Sequence, residues 1–308
     1  MSRFPNREPD MTEAEWLECA DPLRMPKQFR GRSTPRKRCL LACAYLLHAP
    51  GGLVGEAARR VVEAVRDAAF GEPPAWGLVD GTRAAVARAL PECANLSHWT
   101  LWQWLRDHPE FGTDGGQLAN FLRGCAFQSP STACVNAVAS ACLATVRAAA
   151  DREVRPVLQA VLDRHGRPVT EALKEDVFAL IPEPERTRVR NGPWQHNWLP
   201  ARVRNKVYAA TSRPRMAAAS VALAHLVREV FGNPFRPPEI EPEWLLWNHG
   251  AARHIAKQIA ASGHFADLPI LADALEDAGC TDDSLLQHMR SGTTHVPGCW
   301  ALDAVLGR

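Results

Sequence analysis

The chain has 308 residues, an apolar fraction of 46%, a charged fraction of 23% and a formal net charge of +2. That balance excludes a disordered, collagen-like or coiled-coil chain and leaves enough apolar surface for one large core or two ordinary ones. A charge near zero gives no overall pull towards nucleic acid or anionic membrane, although residues 27–38 and 186–215 are basic and 239–283 are acid-rich.

Residues 1–10, with two prolines and no apolar stretch, are expected to form a loose tail. The first helix is announced by Thr12 and Glu15 at capping-box spacing, with Met11 and Trp16 placed as a hydrophobic staple. Ser33, Thr34 and Pro35 open a second, whose stripe is Cys39, Leu40, Cys43, Leu46 and Leu47. Val54, Ala57, Ala58, Val61, Val62 and Val65 carry a third. Trp99, Trp102 and Trp104 lie on a short helical segment, and Gly112, Gly115 and Gly116 make a loop.

From Ser131 a long pattern runs through Val135, Val138, Cys142 and Val146 to Arg155, where Pro156 is expected to kink or break it. Val169, Leu173, Val177 and Leu180 follow. Residues 182–197, with their prolines and an Asn-Gly-Pro turn, read as a linker. A helix over 198–210 and a separate one from Pro214, stopped at Gly232, come next. The last helices end at Gly263 and Gly279, the usual position for a C-terminal glycine. Thr281 caps one further short helix, with Asp282 and Asp283 in its first turn.

No alternating apolar run marks a strand. The expected fold is therefore all-α, an orthogonal or irregular multi-helix bundle with no significant β-sheet. The first ten residues lack the apolar segment of an export signal, and no run of 18 apolar residues occurs. These features predict a chain that neither leaves the cytoplasm nor spans a membrane. The nine cysteines then read as reduced thiols packed as small hydrophobes.

Two segments carry a resemblance. The first is TEAEWLECADP with RKRCLLACAYLL. The second is VREVFGNPFRPPEIEPEWLLWN, with FADLPILADALEDAGCTDDSLLQHMR and HVPGCWALDAVLG. The chain resembles a large paralogous group of uncharacterised bacterial proteins that share these N- and C-terminal boxes around a variable middle. The resemblance implies an architecture and no activity. Within a single helical domain over 11–308, residues 11–94 and 211–308 are expected to pack together, with 95–210 as a variable helical insert.

Cys280, His288, His295 and Cys299 are all zinc-capable and fall in a Cys-x7-His-x6-His-x3-Cys pattern around a glycine-rich turn. A closed tetrahedral set of such donors would be structural. The pattern has no Cys-x2-Cys knuckle, however, and both cysteines also read as core thiols, which is the expected outcome. No cofactor other than zinc is indicated. His249 and His254 are five apart and so lie on different helix faces. Asp273, Glu276, Asp277, Asp282 and Asp283 read as a solvated face that could also pair with the basic 186–215 region.

In that region Arg202, Arg204 and Lys206 could follow phosphates while Trp194 and Trp198 stack on bases, the alternative being a solvated stretch paired with nearby acids. Trp244 and Trp247, like the earlier indoles, serve either as packing residues or as an aromatic surface for a partner. The motifs GxSxG, GxxxxGK[ST], HExxH and GxGxxG are absent. The leading expectation is a non-catalytic helical scaffold that binds another protein, with the variable middle, 95–210, as the contact surface. A nucleic-acid-binding regulator, or an enzyme with a site assembled from distant helices, is the alternative.

Overall fold

A computed structural model describes residues 11–29, 33–49, 55–71, 77–91, 100, 103–104, 107, 132–165, 170–191 and 200–308. These residues form twelve α-helices and no strand. In chain order they are α1 Glu13–Glu18, α2 Pro35–His48, α3 Glu56–Phe70, α4 Gly77–Ala89, α5 Thr132–His165 and α6 Glu171–Ala179. They continue as α7 Glu185–Arg190, α8 Pro200–Phe231, α9 Pro242–Ser262, α10 Leu268–Asp277, α11 Asp283–Arg290 and α12 Trp300–Leu306. Among the described helices α5 is long and apolar enough to cross a bilayer by length and composition; Val135, Val138, Ala139 and Cys142 on it are buried in a core.

The caps follow the local chemistry. Glu15 N–H donates to Thr12 Oγ1 at 3.3 Å and Thr12 N–H to Glu15 Oε2 at 2.7 Å, which satisfies two donors that a helix start leaves unpaired. Met11 and Trp16, the staple pair, are both buried. The cap of α11 is Asp282 rather than Thr281: its side chain accepts from Leu285 N–H at 3.1 Å.

Two cores organise the helices. The larger takes its apolar residues from α1 to α4, the start of α5, the end of α8 and each of α9 to α12. The smaller holds Leu158, Val161, Leu173, Val177, Phe178, Ile181, Val203, Val207 and Ala210. Helices α5 and α8 run antiparallel between them, so the start of one helix and the end of the other share a core. The ion pair Glu153–Arg215 at 2.7 Å and the Arg204–Gln159 hydrogen bond at 2.8 Å lie along their shared face.

Three expectations are corrected here. Pro156 does not end its helix, and the segments at 198–210 and from Pro214 are one helix, α8, with Pro214 inside it. An interior proline costs about 3 kcal/mol, and the packing of α5 along α8 outweighs it. Both prolines fall at the waist between the cores. Thirdly, the described part of 182–197 is folded: Glu185 is buried, α7 lies within it, and Arg186 Nε donates back to the carbonyl of the preceding Ile181 at 2.9 Å.

The chain's two ends are interlocked. Arg228 donates to the carbonyls of Trp16, Leu17 and Cys19 at 2.7, 3.0 and 2.6 Å, closing the last turn of α1. Glu13 accepts from Asn233 at 2.8 Å and pairs with Arg236 at 2.6 Å. Phe29 stacks on Phe231 with ring centres 4.3 Å apart and meets Trp16 edge-on at 5.3 Å. At the far end Arg36 and Lys37 reach Asp303 at 2.7 and 2.8 Å. Lys37 Nζ also donates to the carbonyls of Val230 and Gly298, both at 2.8 Å.

Candidate metal centre

Where α8 ends against α11, the loop 291–299 and α12, four ligand-type side chains converge. Glu229 comes from the last turn of α8, His288 from the last turn of α11, His295 from the loop, and Cys299 caps α12. One ligand atom from each lies within 4.8 Å of the others. His295 Nδ1 is 3.0 Å from Glu229 Oε1, and His288 Nε2 is 3.3 Å from both Glu229 Oε2 and Cys299 Sγ. Glu229 and Cys299 are buried and the two histidines nearly so.

The local sequence explains the convergence. Gly298 adopts φ +97°, and a Cβ there would lie 3.0 Å from Leu40 Cδ1, so the backbone can enter the wall of α2 and turn Cys299 inward. Gly232 does the same for Trp300: a Cβ at Gly232 would stand 2.9 Å from the indole. That indole then covers His288, with ring centres 4.8 Å apart, while His288 and His295 meet edge-on at 5.0 Å.

The surroundings shift the groups in different directions. Burial and the adjacent Glu229 carboxylate push the Cys299 thiol well above its ordinary value. Burial lowers His288, His295 adds to that, and attraction to Glu229 does not offset them. At His295 burial acts in the same sense, but the hydrogen bond and charge of Glu229 and the Ser291 backbone together outweigh it and raise the pKa. His295 Nε2 is buried without a hydrogen-bond partner.

Three of the four sequence candidates, His288, His295 and Cys299, thus share one site. Cys280 is not in it and Glu229 holds the fourth place. Helix rise is the reason. Cys280 lies before the start of α11 and His288 near its end, which separates them by roughly 10 Å along the axis at 1.5 Å per residue. Cys280 is buried at the end of α10, where its N–H donates to the Leu275 carbonyl at 2.9 Å. A signal for Glu229 did exist: it follows Leu226 by three on the buried stripe of α8, where a carboxylate is costly unless partnered.

The described cations of the basic region are paired within the fold. Arg188 and Arg213 both pair with the buried Glu185, Arg190 with Glu175 and Arg215 with Glu153. Arg204 engages Gln159 and Lys206 also has a partner; the side chain of Arg202, with Trp194 and Trp198, lies outside the described residues. The carboxylates of α10 are taken from closer by, since Arg290 of α11 pairs with Asp273 and Glu276. Of the tryptophans, Trp104 packs on the larger core and Trp244 is buried, whereas Trp247 is 40% exposed; Trp99 and Trp102 lie outside the described residues.

No protein-family model, curated protein or solved structure matches the chain.

Proposed function

We propose that the protein is a non-catalytic helical scaffold that binds another protein through the first part of α9. One observation carries the reading. Helix α9 is broken at Trp247–Gly250, where Asn248, His249 and Gly250 take φ of 44°, 56° and 79°. Two of these residues are not glycine, and a left-handed conformation costs each of them roughly 1–2 kcal/mol. The break leaves Leu246 73% and Trp247 40% exposed, while Trp244 before it and Ala252 after it are buried.

Backbone strain of this kind concentrates at functional sites, and interface cores are enriched in tryptophan. Glu239, Glu241 and Glu243, all exposed, precede the two apolar side chains. The surface therefore suits a partner segment with an apolar anchor flanked by basic residues. The nucleic-acid alternative through Arg202, Arg204 and Lys206 draws less support, because the arginines around it are matched by carboxylates of the same fold.

The test places a photo-crosslinking amino acid at position 247 in the full chain inside producing cells. The expected result is an adduct with one protein species, lost when Glu241 and Glu243 are both changed to Lys. Adducts that survive the charge reversal, or no protein adduct at all, would overturn the reading.

A further inference from the structure

We infer that Glu229, His288, His295 and Cys299 bind one divalent zinc ion in a closed, structural site. A carboxylate and two imidazoles, side chains that are costly to bury without partners, converge on Cys299 at the larger core. The direct bonds among them leave His295 Nε2 unmatched, and an unpaired buried polar atom costs about 1–3 kcal/mol. A core without a ligand would be better filled by apolar side chains. A bound cation gives all four a common partner.

The geometry fits the ion. Zinc bonds of about 2.0–2.3 Å in a tetrahedron place the donors roughly 3.3–3.7 Å apart. The 3.3 Å separations of His288 Nε2 from Glu229 Oε2 and Cys299 Sγ, with one ligand atom of each residue inside a 4.8 Å spread, need only small side-chain adjustments to reach that arrangement. A carboxylate and a thiolate neutralise a divalent ion, and two neutral imidazoles complete the set, so the filled site adds no net charge to the interior. The nitrogen, oxygen and sulfur mixture favours zinc over the hard cations magnesium and calcium, which take oxygen ligands.

The surroundings brace the donors as outer-shell partners do. Lys37 ties the carbonyls of Val230 and Gly298, the residues next to Glu229 and Cys299, to Asp303. Trp300 closes the side nearest His288. With four protein donors and no open position, the site is of the structural kind. It fastens the end of α8 to α11 and α12.

The full chain, purified under reducing conditions from zinc-supplemented cells, is expected to carry one zinc per chain by elemental analysis. Cobalt exchanged for zinc should show tetrahedral d–d bands and a thiolate-to-cobalt charge-transfer band. Cys299→Ser should abolish that band, whereas Cys280→Ser should keep both the band and the zinc. Glu229→Gln should weaken zinc binding, in chelator competition, by more than the roughly 10–100-fold typical of losing an outer-shell partner.

If Cys299→Ser does not fold, the charge-transfer band of the wild-type chain and the Glu229→Gln affinity decide the matter. Folded wild-type protein that holds no zinc and yields no cobalt bands would overturn the inference. So would charge transfer that disappears with Cys280→Ser instead. Neither readout depends on the α9 surface, so this test stands apart from the crosslinking experiment.

Discussion

At Asp303 a carboxylate only 1% exposed faces two cations from α2. Arg36 grips it with both terminal nitrogens, at 2.7 and 3.2 Å, and Lys37 at 2.8 Å. Burial opposes all these charges and pushes the Lys37 ammonium down. At Asp303 it is outweighed by Lys37 and Arg36 together, so the carboxyl titrates below the usual range. The carboxylate shift governs the group, because two cations act on one anion. Its stabilisation is complete above the unfolded pKa of about 3.9 and is lost as pH falls through the folded value. Asp303→Asn strands both cations in the core and should cost roughly 3–5 kcal/mol at neutral pH in urea unfolding. The gap to wild type should narrow as pH falls below about 4; a gap independent of pH would remove Asp303 from the acid limb.

Among the elements, α9 departs furthest from regular geometry. Its N-terminal piece ends at Trp247, three left-handed residues turn the chain, and the second piece runs to Gly263. Were the break only a packing compromise, glycine would serve it better than histidine. His249→Gly relieves the left-handed penalty and adds some unfolded-state entropy, for a net gain of roughly 0.5–1 kcal/mol. Thermal unfolding should show a higher midpoint, with partner capture at position 247 unchanged if only the turn's shape matters. A midpoint at or below that of wild type would show that His249 contributes a contact of its own. The prolines of α5 and α8 teach the opposite lesson: there a local breaker is overridden by a neighbouring helix.

For the molecule as a whole, the two cores make different demands on the chain. The larger draws on both chain ends, while the buried members of the smaller among the described residues run from Leu158 to Ala210. Such units open separately when few apolar contacts join them. Val207, fully buried in the smaller core, is the place to perturb it. Val207→Ala should cost on the order of 2 kcal/mol and speed hydrogen exchange at the amides of α6 and the first half of α8. Amides of α2 and α12 should keep their wild-type protection. Equal acceleration in both sets would mean one cooperative unit.

What the sequence determined alone is what short-range physics controls. The all-α class, the capping box at Thr12, the staple of Met11 and Trp16, and the stops at Gly232, Gly263 and Gly279 follow from residues within one or two helical turns of each other. His288, His295 and Cys299 were legible as ligand types because they are close in the chain. Only the tertiary structure decided that Glu229, some sixty residues earlier, completes their set and that Cys280 does not. It also decided that Pro156 and Pro214 stay inside helices, that Arg188, Arg190, Arg213 and Arg215 face carboxylates, and that Trp244 is buried while Trp247 is not. These outcomes depend on which surfaces meet across the fold, and the packing energy of those surfaces exceeds the local preferences that a sequence displays.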